Sequence, residues 1–165
     1  MRRSGGGLRL LPVLLFAIYG LYYFVSNQET VPLTGRKQLV DLTRDQESAL
    51  GLQSYHQILR SERVIATGQT ADLIRSIGRR ISAVAEDPGF HWDYTLIDSP
   101  QVNAFCLPGG KVAFYTGILP VAENENGLAV IMGHEIAHAI ARHGAERMAY
   151  QKLVQMGTLA AGVAV

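Results

Sequence analysis

The sequence His134-Glu135-Ile136-Ala137-His138 constrains this chain more than any other feature, because it lies inside a strongly apolar helical pattern. Asn124, a favourable helix N-cap residue, precedes that pattern. The apolar positions that predict a long, buried helix are Leu128, Ile131, Met132, Ile136 and Ile140. Histidines four residues apart share one helix face, with roughly 5 to 6 Å between their Cβ atoms, a span that one tetrahedral zinc ion can bridge. We therefore predict that His134 and His138 bind one Zn²⁺ per chain.

Glu135 follows the first histidine directly, so its carboxylate can reach a water molecule on the same metal. Zinc lowers the pKa of such a water towards roughly 7 and polarises a carbonyl group, and hydrolysis of an amide needs both effects. We predict that Glu135 is the catalytic general base of a peptidase. The alternative is a set of polar residues on a solvated helix face, which would not explain their place in the most apolar helix of the domain.

A catalytic zinc needs three protein ligands and one open position, and the third ligand is not evident from the motif. The metzincin pattern requires a glycine and a histidine where this chain has Ala141 and Gly144, and His143 comes one residue too early. A glutamate on a later helix is then expected. No acidic residue follows Glu146, so either the chain is cut short or the third ligand comes from elsewhere.

Length and composition narrow the class of protein. A chain of 165 residues provides one domain of ordinary size. The net charge of +1, from 15 basic and 14 acidic residues, predicts no nucleic-acid partner. The single cysteine excludes an internal disulfide and the common cysteine-rich zinc sites. We expect Cys106 to be a buried strand residue that acts as a small apolar side chain rather than a reactive thiol.

The first 26 residues have the layout of a secretory signal or signal anchor. Arg2, Arg3 and Arg9 precede an uncharged, mostly apolar run over residues 10–25. No small-x-small cleavage site follows, which favours an uncleaved membrane anchor over residues 1–26. Basic residues before the span place the rest of the chain on the far side of the membrane, which is the periplasmic side of the inner membrane in a bacterium. Residues 27–39, with Pro32 and Gly35, are predicted to be a linker or an extended lead-in.

The pattern over residues 40–165 predicts an α+β domain. Thr43 and Gln46 form a possible capping box for a helix to about Arg60, and a second amphipathic helix should cover about residues 70–85. Asp87-Pro88-Gly89 then ends helical structure. The apolar stripe predicted for the first helix is Ala49, Leu52, Ile58 and Leu59. The strands predicted next cover residues 93–97, 102–107 and 111–116. Pro108-Gly109-Gly110 should turn the last two strands into a hairpin.

Three sequence blocks resemble the HtpX and CAAX-prenyl-protease family of metallopeptidases, in particular its Oma-like and bacterial periplasmic branch. They begin at Thr34-Gly35-Arg36, at Asn103-Ala104-Phe105 and at Met132-Gly133-His134, and the similarity covers about residues 34–148. The resemblance implies a zincin-like fold in which the two motif histidines bind zinc and the motif glutamate is the general base. It also implies that a glutamate on a downstream helix completes the metal site. The sequence ends in an apolar stretch that starts near Leu153, so the domain is expected to be truncated.

The same resemblance implies that substrate binds as an extended strand beside an edge strand of the sheet. Residues 111–116 are the expected edge. The substrate-binding residues predicted on this basis are Gly109, Gly110, Lys111, Val112, Ala113 and Phe114. The expected function is a membrane-associated zinc metalloendopeptidase that acts on protein substrates in envelope quality control. A non-catalytic zincin that binds extended polypeptide as an assembly factor or chaperone is the alternative. Residues 153–165 could also be a second membrane segment.

Overall fold

The structure is a computed structural model that describes residues 10–31, 34–86 and 89–164. Within these residues the chain forms six α-helices and six β-strands, which confirms the predicted α+β class. The predictions that involve Arg2, Arg3, Arg9, Pro32, Asp87 and Pro88 lie outside the described residues. In chain order the elements are α1 (Leu10–Ser26), β1 (Gln28–Thr30), β2 (Lys37–Leu39), α2 (Arg44–Ser61), β3 (Val64–Ile65), α3 (Gln69–Ser82), β4 (Asp93–Ile97), β5 (Ala104–Leu107), β6 (Lys111–Tyr115), α4 (Leu119–Ala122), α5 (Glu125–Ile140) and α6 (His143–Ala164).

The chain divides into two compact units. One unit is Leu42–Gly144, and it contains the motif helix α5. The other unit combines the residues up to Asp41 with those from Ala145 onward.

A four-stranded sheet with the order β3-β4-β6-β5 organises the unit Leu42–Gly144. Strands β4 and β6 are parallel, whereas β3 pairs with β4 and β5 pairs with β6 in antiparallel fashion. The prediction that residues 111–116 form the edge strand is therefore wrong, since β6 has neighbours on both sides. The edge strand next to β6 is β5. Sequence patterning could not distinguish the two, because both strands of a hairpin carry similar apolar residues.

The two faces of the sheet are covered by different helices. On one face, α3 and α5 bury the main apolar core, with Ile74, Phe114 and Met132 fully buried. On the other face, Ala113 and Tyr115 of β6 pack with Ile58 and its neighbour on α2. Successive side chains of a strand point to opposite faces, so β6 contributes to both layers and is buried along its whole length.

Helix α2 begins with the predicted capping box, in which Thr43 accepts from the backbone N–H of Gln46 and the Gln46 side chain accepts from the N–H of Thr43. Its predicted apolar stripe is only partly correct. The buried residues of α2 are Glu47, Gly51 and Tyr55, whereas Leu52 is exposed. A Cβ atom at Gly51 would lie 2.1 Å from the carbonyl oxygen of Pro108, so the helix meets the hairpin turn where it has no side chain. The close approach of α2 to the hairpin turn, rather than hydrophobic periodicity, therefore determines which face of α2 is buried.

The turn between β5 and β6 confirms the predicted hairpin. Gly109 and Gly110 have φ angles of 85° and 83°, a region that favours glycine. The following Lys111 is buried, and its Nζ donates to His91 O and Asp93 Oδ2, both at 2.6 Å. These bonds fix the beginning of β6 against the beginning of β4.

The unit formed by the two ends of the chain contains α1, the β1–β2 hairpin and most of α6. Tyr23, Leu39 and Ala149 form its small buried cluster. A Cβ atom at Gly20 would lie 3.9 Å from Leu153, and one at Gly157 would lie 3.2 Å from Phe16, so α1 and α6 run antiparallel where they touch. The segment expected to be a linker or an extended lead-in holds both strands of the hairpin.

Most side chains of α1 are exposed and apolar. Among residues 10–31, 34–86 and 89–164, no helix combines the length and the apolar character that a membrane crossing requires.

Candidate metal and catalytic site

Helix α5 carries the motif on a well-anchored backbone. The Asn124 side chain accepts hydrogen bonds from the N–H groups of Asn126 and Gly127, which confirms the predicted cap. Met132 and Ile136 are buried against the sheet. This packing turns His134 to solvent and leaves Glu135 and His138 half-buried at the rim of the unit. The apolar residues of the helix therefore set which way the motif faces.

The two motif histidines converge as the spacing predicts. Their Nε2 atoms are 2.9 Å apart, the ring centroids are 4.4 Å apart and the ring planes are nearly perpendicular, at 86°. Two imidazole nitrogens bound tetrahedrally to one zinc at about 2.0 to 2.1 Å would be about 3.4 Å apart. A small rotation of either ring gives this separation, so the pair fits two positions of a zinc site.

Further zinc ligands could be histidine, cysteine, aspartate or glutamate side chains. In the part of the chain that the structure describes, no group of three such side chains is placed to hold one metal ion. The described residues therefore provide His134 and His138 as a pair, without a third protein ligand beside them.

Glu135 lies close to the edge strand. Burial raises the pKa of the Cys106 thiol to about 12, and the charge of Glu135 adds to this increase. Cys106 is a half-buried residue of β5 that packs against the core between the sheet and α5. It is therefore a protonated, weakly reactive thiol, as the sequence predicted. Its electrostatic interaction with Glu135 indicates that the candidate base lies in the neighbourhood of β5.

The outer edge of β5, the last strand of the described sheet, offers backbone groups for pairing. The N–H of Tyr115 donates to Asn103 O at 3.1 Å. In an antiparallel pair of strands, hydrogen-bonded and non-hydrogen-bonded residue pairs alternate. The pair of Asn103 with Tyr115, and every second residue pair after it, therefore forms the hydrogen bonds between β5 and β6. Ala104 and Cys106 belong to the intervening pairs, and their N–H and C=O groups point away from β6. The predicted substrate residues Val112, Ala113 and Phe114 instead lie in the interior strand and are fully buried.

The turn after α5 is fixed by a buried ion pair that the sequence did not reveal. Arg142 has a φ angle of 62° and is buried, as is Glu47 of α2. The Arg142 Nε donates to Glu47 Oε1 at 2.8 Å, Nη2 donates to the same oxygen, and Nη2 also donates to Leu42 O at 2.6 Å. The sequence signal that could have identified Glu47 is its place in the first turn of a capped helix, where a carboxylate is stabilised.

His143 comes directly after this turn and begins α6. Its Nδ1 is 2.5 Å from Nδ1 of His138, and the two ring centroids are 4.8 Å apart. The ring nitrogen of His138 that faces away from His134 is therefore in contact with a third imidazole.

A comparison with known protein families settles the relationship of the chain. The sequence profile described as Peptidase family M48 matches residues 68–165, which is more than half of the chain. This chain belongs to peptidase family M48. The match includes α3, the four-stranded sheet from β4 onward and the whole motif helix.

Curated relatives of this M48 chain carry the names of metalloendopeptidases and proteases. It is 36% identical over 143 residues to the mitochondrial metalloendopeptidase OMA1 of Schizosaccharomyces pombe, which covers 85% of this chain and 42% of the relative. It is 31% identical over 149 residues to that of Saccharomyces cerevisiae, covering 82% and 43%. It is 30% identical over 125 residues to the beta-barrel assembly-enhancing protease of Yersinia pestis, covering 76% and 26%. The M48 chain thus spans less than half the length of these relatives.

These matches confirm the resemblance inferred from the three sequence blocks, including its Oma-like branch. The family relationship and the geometry of α5 agree, because the M48 match contains the two converging histidines and the adjacent glutamate.

Proposed function

We propose that this chain contains the catalytic core of a zinc-dependent metalloendopeptidase that hydrolyses peptide bonds in protein substrates. The observation that carries the proposal is the convergence of His134 Nε2 and His138 Nε2, 2.9 Å apart, on a helix whose next side chain is Glu135. Membership of peptidase family M48, and relatives named as metalloendopeptidases, support the same chemistry.

The residues have distinct roles in this proposal. His134 and His138 would hold the zinc ion through Nε2. When bound, zinc supplies a Lewis acid that activates water and polarises the scissile carbonyl. The Glu135 carboxylate accepts a proton from the attacking water and returns it to the nitrogen of the leaving amine. The electrostatic influence of Glu135 on Cys106 supports a location for this proton transfer near β5.

An extended polypeptide would bind along β5. The outward N–H and C=O groups of Ala104 and Cys106 can pair with the backbone of a substrate strand, which gives affinity without demanding a particular sequence. This moves the proposed substrate contact from residues 109–114, predicted from the sequence, to the neighbouring strand of the same hairpin. Such binding suits unfolded or damaged protein substrates, consistent with a role in envelope quality control.

Cleavage of an unfolded casein by the purified full chain, with zinc supplied, tests the activity. Wild type should cleave casein, and a chelator should abolish cleavage. The Glu135→Gln variant should lose at least about 100-fold in kcat, because general-base catalysis contributes about this much. Glu125→Gln is the matched control, since Glu125 is an exposed residue of the same helix that pairs with Arg80.

The alternative function is a non-catalytic core that binds extended polypeptide as an assembly factor. Casein binding without cleavage, unchanged by Glu135→Gln, would favour that alternative. Cleavage that survives both the chelator and Glu135→Gln would contradict the zinc mechanism.

The strand edge can be tested through its backbone. Cys106→Pro removes an outward N–H at an edge position where proline is tolerated, and the loss of one hydrogen bond should raise KM for casein about 3- to 10-fold. Cys106→Ala keeps the N–H and removes the thiol, so it should retain the wild-type KM. An equal KM for both variants would exclude backbone pairing at this position.

Helix α1 is proposed to associate the chain with a membrane, with the peptidase unit on the extracytoplasmic side. The support is its row of exposed apolar side chains, among them Leu14, Ile18 and Leu21. Alkaline extraction of membranes should leave wild type in the pellet and release an Ile18→Asp variant. Release of both proteins would contradict membrane association through α1.

A further inference from the structure

The histidine contact at the end of the motif helix extends the site by one residue. His138 Nε2 faces His134 Nε2 at 2.9 Å, and His138 Nδ1 faces His143 Nδ1 at 2.5 Å. Three imidazole rings thus form a continuous hydrogen-bonded chain, with His138 as the middle ring. His143 is half-buried, and its ring meets that of His138 at 65°.

The positions of these nitrogens restrict the tautomer of His138. A histidine that binds metal through Nε2 carries its proton on Nδ1, and the group that accepts this proton fixes the orientation of the ring. In this structure the atom in reach of His138 Nδ1 is Nδ1 of His143. A His138 ring that binds metal through Nε2 would therefore donate its Nδ1–H to His143 Nδ1, with the proton of His143 on Nε2. Without metal, His134 Nε2–H can donate to the unprotonated Nε2 of His138.

The backbone holds His143 in place for this contact. Arg142 adopts a left-handed conformation between α5 and α6, and its guanidinium is bound by Glu47 and Leu42 O inside the same unit. Because Arg142 is buried, the turn cannot relax without breaking these bonds. This anchor fixes the backbone just before His143, and His143 belongs to the same unit.

We propose that His143 is a positioning residue that accepts the Nδ1–H of His138 and so presents His138 Nε2 to the metal. This inference rests on the proposed function for the purpose of the contact, but the contact between the two Nδ1 atoms is present in the metal-free chain. In this role His143 acts on the metal site through His138 rather than by binding metal or substrate itself.

Nitrogen NMR spectra of the imidazole rings test the tautomer directly. The full chain, labelled with ¹⁵N and free of metal, is measured at about pH 8.5, where histidines of ordinary pKa are neutral. Wild type should show His138 as the Nδ1–H tautomer. His143→Ala and His143→Phe should convert His138 to the Nε2–H tautomer, because no acceptor remains at Nδ1. His143→Asn should keep the Nδ1–H tautomer, since the amide oxygen occupies nearly the position of the lost ring nitrogen.

Zinc affinity, measured by competition with a chromophoric chelator, provides the second readout. Loss of a partner that orients a metal ligand typically weakens metal binding about 10- to 100-fold, so His143→Ala and His143→Phe should weaken zinc binding by this factor. His143→Asn should remain within about threefold of wild type. Circular dichroism of each variant checks that the fold is retained, and His143→Phe keeps an aromatic ring if alanine leaves a cavity.

The outcomes separate this inference from the proposed function. An Nε2–H tautomer of His138 in wild type would overturn the inference, and so would zinc binding by His143→Asn that is as weak as by His143→Ala. A wild-type chain with the expected tautomer but without zinc binding would support the contact and contradict the proposed function.

Discussion

At the scale of single residues, the end of the motif helix depends on an unusual arginine. Helices commonly end in a left-handed residue, and that residue is usually glycine. Arg142 adopts this conformation with a φ angle of 62° and is buried against Glu47. The conformational free-energy cost of this left-handed backbone is offset by charge-assisted hydrogen bonds from the Arg142 guanidinium to Glu47 and to the carbonyl oxygen of Leu42.

Arg142→Ala should destabilise the chain by about 3 to 5 kcal/mol, because it leaves the Glu47 carboxylate buried without its partner. Urea unfolding followed by circular dichroism measures this loss. The double variant Glu47→Leu with Arg142→Met should be less destabilised than Arg142→Ala, since it removes both charges. A double variant that is as unstable as Arg142→Ala would show that loss of the ion pair, rather than burial of an unpaired Glu47 carboxylate, causes the destabilisation.

Cys106 gives a prediction about reactivity. Burial, with the charge of Glu135, raises the pKa of its thiol to about 12. At about pH 7.5 its thiolate fraction, and hence its alkylation rate in the native chain, should be about three orders of magnitude below that of an ordinary cysteine. Iodoacetamide labelling followed by mass spectrometry measures the rate. Glu135→Gln should accelerate labelling, because a neutral amide no longer opposes the thiolate, and an unchanged rate would contradict the proximity of the two residues.

At the scale of elements, most helices and strands could be predicted from the sequence. Which strands pair with each other in the sheet could not. The capping residues Thr43 and Asn124 and the glycine turn before β6 act locally, so the sequence identifies them. The parallel pairing of β4 with β6 joins strands that are separated by β5 in the chain. This crossover made β5 the edge strand, and periodicity carries no information about which strand lies at an edge.

Gly51 shows how a contact distant in sequence determines the face of a helix. Gly51→Ala would place a Cβ atom 2.1 Å from the backbone oxygen of Pro108, and this overpacking should cost more than about 2 kcal/mol. Thermal unfolding would show a lower melting temperature. Gly133→Ala is the matched control in α5, where nothing lies within 4 Å of the new Cβ, and it should stabilise its helix by up to about 1 kcal/mol. Equal effects of the two substitutions would argue against the close contact.

The loop after β2 carries a pH-sensitive contact with α6. Lys152 Nζ donates to Asp41 Oδ2 at 2.5 Å. Burial raises the pKa of the Asp41 carboxyl, but the hydrogen bond from Lys152 and the charge of Lys152, with the nearby Tyr23 hydroxyl, outweigh burial and hold the pKa below its ordinary value. A carboxyl of this kind stabilises the folded state above its unfolded pKa of about 3.9, and the contribution is lost as the pH falls through the folded pKa.

Acid unfolding measures this contribution. Wild type should lose stability more steeply between about pH 4 and pH 2 than Asp41→Asn, because the variant has no carboxyl to protonate. Lys152→Met should show the same flattened pH dependence, since it removes the charge that lowers the pKa of Asp41. Three identical acid-unfolding profiles would contradict the role of this ion pair.

At the scale of the whole molecule, the mutual geometry of the motif residues could be predicted better than the contacts that surround them. His134, Glu135 and His138 belong to one continuous helix, so their mutual geometry follows from helical spacing. Glu47 lies 95 positions away from its partner Arg142, and no local pattern connects them. The family match includes the whole motif helix, and it agrees with the geometry of that helix.

The coordination of zinc in the loaded full chain tests this account most directly. X-ray absorption at the zinc edge counts the imidazole ligands and measures their distances. The account predicts two imidazole nitrogens at about 2.0 to 2.1 Å and no sulfur near 2.3 Å, with both imidazole contributions lost in a variant that carries His134→Ala and His138→Ala. A zinc ion bound by sulfur, or one whose imidazole ligands persist in that double variant, would contradict the assignment of His134 and His138 as the metal site.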